Sequence, residues 1–220
     1  MQNTVKEKLL QIQHEIAPFQ PRIIAITKYF DENRLIEAYE SGLRDFGENR
    51  VQDALKKFAK LPKEITENST FHLVGHLQTN KVKKAVGNFD YIHSVDSLKL
   101  LEAIDFEAKQ KGIVQKILVQ VNNANEVQKN GLSIDNVVDL FSKICNYNNC
   151  SVVGLMNIAP LEANEVELQR LFKQIKELKA ELEKTFNIQL KELSMGMSND
   201  YKIAVENGST MLRIGRKLFT

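Results

Sequence analysis

Residues 22–28 read Arg-Ile-Ile-Ala-Ile-Thr-Lys, an apolar run rich in β-branched residues that ends in a threonine and a lysine. A stretch with helical period, Glu32–Ser41, follows after a short gap. An apolar run followed by an amphipathic stretch predicts a buried strand that leads into a helix. Ahead of this strand, the pattern over about Thr4–Ile16 predicts one extra helix.

The same unit of strand and helix recurs along the chain. Strands separated by helices of this length pair in parallel through right-handed crossovers. Eight units favour an α/β protein with a closed (β/α)8 TIM barrel, and an open doubly wound sheet is the structural alternative. The predicted strands are Arg22–Thr27, Leu43–Gly47, Thr70–Gly75, Tyr91–Val95, Lys116–Val121, Ser151–Ile158, Leu190–Met195 and Met211–Gly215. The later helical segments are Val51–Lys60, Ser97–Lys111, Ile134–Ile144 and Val166–Lys184.

Length and composition predict one domain over residues 1–220, because no linker or low-complexity stretch interrupts the chain of 220 residues. The hydrophobic share of 43% and the charged share of 26% are typical of a globular protein with a sizeable core. A net charge of +2 gives no reason to expect a nucleic-acid or membrane partner. We expect a monomer, with a dimer as the alternative.

The amino-terminal stretch and the cysteines predict the compartment. Residues 1–8 are polar and lack the apolar segment of a signal peptide, and no apolar run has membrane-spanning length. Cys145 and Cys150 are too few for a disulfide framework, so we expect reduced, partly buried thiols. These features predict a cytoplasmic protein. Lys83 and Lys84 form an isolated basic stretch, which we interpret as a solvated helix face.

The predicted first strand ends in Lys28, where the strands of a barrel converge on the face that carries active sites. A lysine at an apolar barrel mouth would lose hydration, which favours attack of its amine on a carbonyl. A lysine that extends its amine into solvent at a strand end is an equally good interpretation. Position alone does not decide between them.

The segment after the seventh predicted strand is a candidate phosphate site. Residues 198–200, Ser-Asn-Asp, open a short helical segment, Tyr201–Glu206, so Ser198 or Asn199 is the expected N-cap. A helix N-terminus offers unpaired N–H groups and the positive end of a dipole to a phosphate. A capped helix after a turn glycine is the alternative interpretation.

The segment after the eighth strand strengthens the phosphate interpretation. Gly196 and Gly215 would let the backbone approach a ligand closely, and Arg213 and Arg216 would supply positive charge. Barrels often hold phosphate in the loops after strands seven and eight. Because both loops fit, we favour phosphate over a plain capped helix.

Other kinds of site find little support. His72 and His76 have the i, i+4 spacing of metal ligands on a helix, but they fall on a predicted strand and its following loop. We therefore predict no metal site. The sequence also lacks a nucleophile-elbow motif and a phosphate-binding loop of the Gly-rich lysine type.

Several segments resemble the YggS/PROSC-type pyridoxal phosphate homeostasis proteins, which are related in fold to the barrel domain of alanine racemase. The resemblance runs over nearly the whole chain in the family's order. The matching segments are residues 24–28 (Ile-Ala-Ile-Thr-Lys), 45–52 (Asp-Phe-Gly-Glu-Asn-Arg-Val-Gln), 71–81 (Phe-His-Leu-Val-Gly-His-Leu-Gln-Thr-Asn-Lys), 93–96 (His-Ser-Val-Asp), 154–156 (Gly-Leu-Met), 193–198 (Leu-Ser-Met-Gly-Met-Ser) and 208–215 (Gly-Ser-Thr-Met-Leu-Arg-Ile-Gly).

The resemblance implies that the protein binds pyridoxal 5′-phosphate through an internal aldimine on Lys28. The hydroxyl of Ser198 would bind the phosphate, and Arg213 would lie at the pyridine nitrogen or at the phosphate. Asn49 would lie beside the ring or the phosphate. The implied cofactor-binding residues are Lys28, Asn49, Ser198, Arg213, Ile214, Gly215 and Arg216, where Gly215 and Arg216 would contribute backbone N–H groups.

The chain departs from the family pattern in three places. Tyr29 and Phe30 follow the lysine where the family usually has a polar residue and then Lys-Pro. Asn157 stands where threonine is more usual, and the sequence given ends at Phe219-Thr220, short of the customary tail. These changes bear on the shape of the mouth.

The resemblance implies a role in intracellular pyridoxal phosphate homeostasis, as a carrier that supplies apo-enzymes. Alanine racemase has a further C-terminal β-domain that contributes the second acid/base, and we expect this chain to lack it. We therefore predict a protein without robust catalytic activity. A weak amino-acid racemase or a Schiff-base aldolase is the alternative, and a scaffold protein that happens to carry phosphate has least support.

Overall fold

The computed structural model of the protein describes residues 4–124, 126 and 130–220. Eight parallel strands pair in sequence order, and β1 also pairs with β8, so the sheet is a closed barrel. The prediction of a (β/α)8 barrel over an open sheet is confirmed. The strands are β1 (Arg22–Ile26), β2 (Asp45–Glu48), β3 (Thr70–Leu73), β4 (Tyr91–Val95), β5 (Gln115–Val121), β6 (Cys150–Asn157), β7 (Glu192–Met197) and β8 (Met211–Ile214).

Helices follow the strands around the outside of the barrel. The predicted helices are confirmed to within two residues at each end. Three short helices, α4, α5 and α10, were not predicted, because four or five residues are too few to show a helical period. The helices are α1 (Val5–Glu15), α2 (Glu32–Glu40), α3 (Val51–Phe58), α4 (Lys63–Glu67), α5 (Val82–Ala85), α6 (Leu98–Lys111), α7 (Ile134–Lys143), α8 (Glu165–Phe186), α9 (Tyr201–Glu206) and α10 (Arg216–Phe219), with 3₁₀ turns at Thr79–Lys81 and Ile144–Asn146.

The buried apolar residues form two separate clusters because neighbouring side chains of a strand point to opposite faces. In β1, Ile23 and Ala25 belong to the larger cluster, which we call the shell and which fills the space between strands and helices. Ile24, between them in the sequence, belongs to the smaller cluster inside the barrel, together with Leu118 and Met156. We call the space enclosed by the eight strands the interior.

A glycine makes room where the interior is narrow. A Cβ on Gly47 would overlap the side-chain end of Ile26. The missing side chain therefore lets the aliphatic residues of β1 occupy the interior next to β2.

The extra helix α1 packs against α10 with its buried residues Val5, Leu9 and Ile12 facing inward. At its end, Glu15 accepts hydrogen bonds from the Tyr201 hydroxyl and the Lys217 amine. These hydrogen bonds, the one from Tyr201 first, lower the pKa of Glu15 below its usual range. The helix thus fixes α9 and α10, which follow β7 and β8.

Residues 1–3 of the polar amino-terminal stretch lie outside the described part of the chain. Within the described part, no helix has both the length and the apolar character that crossing a bilayer requires. Lys83 and Lys84 are exposed on α5, as the interpretation of a solvated helix face predicted.

Candidate functional site

Lys28 lies in the turn directly after β1, at the carboxyl end of the barrel. Its side chain is exposed, and its Nζ atom is 4.8 Å from the centre of the Tyr29 ring. Of the two interpretations that position left open, the structure favours the lysine that extends its amine into solvent over the one that loses hydration. The exposed amine is open to an incoming aldehyde.

A buried polar cluster lies beneath Lys28. The Thr27 hydroxyl donates to Glu48 Oε1 over 2.6 Å, and Lys57 Nζ is 2.5 Å from the same oxygen. Lys57 also donates to the carbonyl oxygen of Thr27 over 2.7 Å. Because all three side chains are buried, the peptide group that precedes Lys28 is held in one position. This cluster was not predicted from the sequence, although the polar residues Thr27 and Glu48 at the ends of two strands could have indicated it.

Asn49 follows β2 directly and is half-buried. The backbone of Gly75, which follows β3, packs so closely against it that a Cβ on Gly75 would overlap the carbonyl oxygen of Asn49. The glycine thus allows the two loops to touch, which fixes the backbone of Asn49 at the mouth.

Arg213 extends from β8 into the interior and is buried. One guanidinium nitrogen donates to the carbonyl oxygen and the hydroxyl of Ser194, over 2.6 and 2.7 Å, and the other donates to the carbonyl oxygen of Asn157 over 2.6 Å. Burial lowers its pKa to about 10, opposed by the nearby charge of Asp200, so the group stays positive at neutral pH. The structure therefore provides a fixed cation inside the barrel.

The loops after β7 and β8 meet at Ser198. Its hydroxyl oxygen accepts a hydrogen bond from the N–H of Lys217 over 3.3 Å. The N–H groups of Gly215 and Arg216, next in line at the start of α10, donate no backbone hydrogen bond within the described residues. Arg216 is exposed, whereas the Ile214 side chain is buried in the shell, so only the backbone of Ile214 can reach a ligand at the mouth.

One detail of the predicted phosphate site is wrong. The N-cap of α9 is Asp200, and neither Ser198 nor Asn199 holds that position. The Asp200 carboxylate accepts from the N–H of Met197 over 2.5 Å and closes the turn, while burial raises its pKa. Close approach of a ligand at Gly196 stays a prediction, but the fold itself already requires this glycine. Its φ is +92°, and a Cβ there would lie 2.5 Å from the Cβ of Ala204 on α9.

The interior also contains two histidines that the sequence analysis gave no role. His72 on β3 and His93 on β4 are fully buried and bonded to each other, with 2.9 Å between His72 Nδ1 and His93 Nε2. His76 lies apart from His72, and its Nδ1 is 3.3 Å from a carboxylate oxygen of Asp96. Among the described residues, no group of three or more His, Cys, Asp or Glu side chains is arranged to hold a metal ion.

Both cysteines are free thiols. Cys145 is exposed, which the prediction of partial burial did not anticipate. Cys150 is partly buried, and burial raises its pKa to about 12.

The residues at the mouth fit the three functional groups of pyridoxal phosphate. Lys28 offers an amine to an aldehyde, Arg213 offers a fixed cation to a pyridine nitrogen or a phosphate, and Ser198 with the start of α10 offers donors to a phosphate. Next to Arg213, the side-chain oxygen of Asn157 is buried without a hydrogen-bond partner among the described residues. A bound ligand that donates there would satisfy it.

Comparison with known proteins agrees with this fit. The chain matches the family described as alanine racemase, N-terminal domain, over residues 2–220. The pyridoxal phosphate homeostasis protein of Aquifex aeolicus is 38% identical over 198 residues, which are 90% of this chain and 86% of that protein. The human protein of the same name is 36% identical, with 98% of this chain and 82% of that protein covered.

A solved structure supports the same relationship. PipY of Synechococcus elongatus, determined with pyridoxal phosphate bound, has a TM-score of 0.90 and 38% sequence identity. The match covers 99% of this chain and 100% of that one. The resemblance of the sequence motifs is thereby confirmed. The chain belongs to the pyridoxal phosphate homeostasis protein family and carries the alanine racemase N-terminal domain.

Proposed function

We propose that this protein binds pyridoxal 5′-phosphate and serves intracellular pyridoxal phosphate homeostasis, with the aldehyde held as a Schiff base by Lys28. One observation carries the proposal. The pairing of β1 with β8 sets Ile24 opposite Arg213, which brings the fixed guanidinium and the Gly215 turn beside the strand that leads to Lys28. The amine of Lys28 and the groups that would donate hydrogen bonds to a phosphate come from opposite ends of the sequence and meet at one mouth.

The remaining residues have separate roles in this proposal. Ser198 and the N–H groups of Gly215 and Arg216, next to Ile214, bind the phosphate. Asn49 lies beside the ring or the phosphate. We assign Arg213 to the pyridine nitrogen, because its guanidinium is buried among the strands while the Ser198 contact lies beyond the strand ends.

The proposed role is that of a carrier without robust catalysis. Bound pyridoxal phosphate supplies an aldehyde that passes reversibly between amines and a ring that can act as an electron sink. A guanidinium at the ring nitrogen disfavours its protonation and so weakens the electron sink. The amine of Lys28 contacts solvent, which suits exchange with incoming amines better than protection of a carbanion.

We further propose a single cofactor-binding domain over residues 1–220 that acts as a cytoplasmic monomer and passes the cofactor to apo-enzymes. The two free thiols suit a reducing compartment. The exposed position of Lys28 suits transfer to a partner, since an acceptor amine can reach it.

The absorbance spectrum of the purified protein tests the proposal. Pyridoxal phosphate added to the wild-type protein should produce a visible band that borohydride abolishes, with a mass adduct on Lys28. The Lys28→Ala variant should give neither, while Lys99→Ala, a change at an exposed lysine on α6, should behave as wild type. A colourless wild-type protein without an adduct would contradict the proposal.

Exchange of the Cα hydrogen of amino acids with deuterium separates the carrier from a weak racemase. The coloured protein should catalyse no exchange above that of free pyridoxal phosphate. Exchange that is lost in Lys28→Ala would instead establish the racemase. Uptake of a phosphorylated sugar on Lys28, without affinity for pyridoxal phosphate, would indicate the aldolase.

A further inference from the structure

A chain of buried hydrogen bonds crosses the interior and ends at Arg213. Asp45 Oδ1 on β2 is 3.0 Å from His72 Nε2, and His72 Nδ1 is 2.9 Å from His93 Nε2. His93 Nδ1 is 2.9 Å from the hydroxyl oxygen of Ser194, which accepts from Arg213 over 2.7 Å. His72, His93 and Ser194 are fully buried. Five strands contribute one residue each.

With both histidines neutral, the chain has one consistent assignment of protons. The carboxylate of Asp45 can only accept, so His72 donates from Nε2 and accepts at Nδ1. His93 then donates from Nε2 and accepts at Nδ1 from the Ser194 hydroxyl. The lone pairs of that hydroxyl oxygen remain available to the guanidinium of Arg213. Every donor in the chain has one acceptor when both histidines are neutral.

The surroundings favour these neutral forms. Burial lowers the pKa of His72, and the carboxylates of Asp45 and Asp90 only partly oppose it. Burial lowers the pKa of His93 well below its usual value of 6.5, helped by the interaction with His72 and by the positive charges of Arg213 and Arg22. A proton on His93 would place a second positive charge beside the guanidinium and would compete with it for the Ser194 oxygen.

The far end of the chain reaches solvent at the amino end of the barrel. The side chain of Asp45 is 16% exposed and lines a cavity of about 600 Å³, together with Pro21 and Arg44. Arg22 lies 3.8 Å from the same carboxylate oxygen. These contacts suit an ionised carboxylate. Because a carboxylate only accepts hydrogen bonds, it determines which atom donates at each link of the chain between Asp45 and Ser194.

We propose that His93, acting through Ser194, is a positioning residue that holds the Arg213 guanidinium in one orientation toward the bound cofactor. This inference rests on the proposed function. With the Ser194 hydroxyl hydrogen directed at His93, its oxygen faces the guanidinium and can only accept from it. Without His93 the hydroxyl is free to turn, and one of the three contacts that anchor Arg213 is no longer fixed in direction.

The cofactor affinity and visible spectrum of two variants test the role. Ser194→Ala and His93→Leu should each weaken pyridoxal phosphate binding about tenfold and shift the visible maximum. The first removes a hydrogen bond to the charged guanidinium, and the second removes the group that orients that bond. The double variant should be no weaker than either single one, because both act on the same contact. His93→Asn, whose side-chain oxygen can accept from Ser194, should recover part of the affinity. His14→Leu, a change on the exposed face of α1, is the matched control.

Nitrogen NMR of the cofactor-free protein tests the chain independently of any ligand. At neutral pH, both buried histidines should show a protonated Nε2 and an unprotonated Nδ1. A doubly protonated ring or the opposite tautomer at either position would overturn the assignment.

The outcomes separate the two proposals. A wild-type protein that takes up no cofactor overturns the proposed function, and the positioning role with it. Normal uptake by the wild type, with affinity and spectrum unchanged in folded Ser194→Ala protein, overturns the positioning role alone. If His93→Leu does not fold, the Ser194→Ala result and the NMR tautomers decide.

Discussion

The shell and the interior of the barrel are built from different chemistry. The shell contains large, fully buried apolar side chains such as Phe46, Phe141 and Phe172. The interior combines apolar side chains such as Ile24 and Met156 with the polar chain that runs from Asp45 to Arg213. The difference indicates that the shell provides most of the stability, whereas the polar interior serves the site at the mouth.

The largest effect is expected in the shell. Phe172→Ala on α8 removes a fully buried ring and should lower the free energy of unfolding by about 3–5 kcal/mol. Urea denaturation measures the loss, and affinity for pyridoxal phosphate should persist wherever the variant is folded. Leu161→Ala, at a side chain that is 78% exposed, should change stability by no more than about 0.5 kcal/mol. A similar loss of stability in both variants would contradict the conclusion that the buried shell provides most of the stability.

The buried cluster beneath Lys28 is a polar exception in the shell. Lys57→Met removes one partner of a buried ion pair and should destabilise the protein by about 3 kcal/mol, because Glu48 is left charged and buried. The double variant Lys57→Met with Glu48→Gln should recover much of this loss in the same denaturation assay. If the double variant is as unstable as Lys57→Met, the unpaired charge is not the cause.

The polar interior should make stability depend on pH. Burial lowers the folded-state pKa of His72 and lowers that of His93 well below 6.5. The unfolded chain therefore binds more protons than the folded one below pH 6.5, so the free energy of unfolding should fall as the pH drops from 7 toward 5.5. Each histidine contributes at most about 1.4 kcal/mol per pH unit.

Denaturation curves across this pH range check the prediction. His93→Asn should flatten the dependence, and His14→Gln, at an exposed position, should leave it unchanged. If the stability of the wild type is constant from pH 7 to 5.5, the prediction is wrong, because His72 and His93 would then take up protons equally in the folded and the unfolded chain.

The smallest effect concerns a thiol at the edge of the shell. Burial raises the pKa of Cys150 to about 12, whereas Cys145 is exposed. A thiol reagent at neutral pH should therefore label Cys145 quickly and Cys150 only after denaturation, with little change in stability. Mass spectrometry of the labelled peptides distinguishes the two. Equal labelling rates in the native protein would mean that this edge of the shell opens readily.

The fold could be predicted from the sequence because its signals are local. Strand runs such as Arg22–Thr27 and helical periods such as Ser97–Lys111 depend on residues close together in the chain. The short helices escaped prediction because α5 and α10 have only four residues each. The cap of α9 was wrong because Ser, Asn and Asp follow one another, and each is a good N-cap.

The polar interior could not be predicted because its partners are far apart in the chain. His93 and Ser194 are 101 residues apart, and Asp45 and His72 are 27 apart. The sequence around a histidine in an apolar run does not indicate which residue that histidine will contact in the folded barrel. The sequence left the exposure of Lys28 undecided, because it did not show that the turn carrying the lysine continues beyond the apolar end of β1.

The seam between β1 and β8 has a consequence for synthesis. The strand that leads to Lys28 emerges from the ribosome early, but its neighbour β8 emerges after all the other strands. Until then one edge of β1 stays unpaired, and the amine of Lys28 has no phosphate-binding N–H groups beside it. We expect colour from bound cofactor to appear in refolding only together with protection of the β1 amides from hydrogen exchange. Cofactor uptake would then report that the ring of strands is complete.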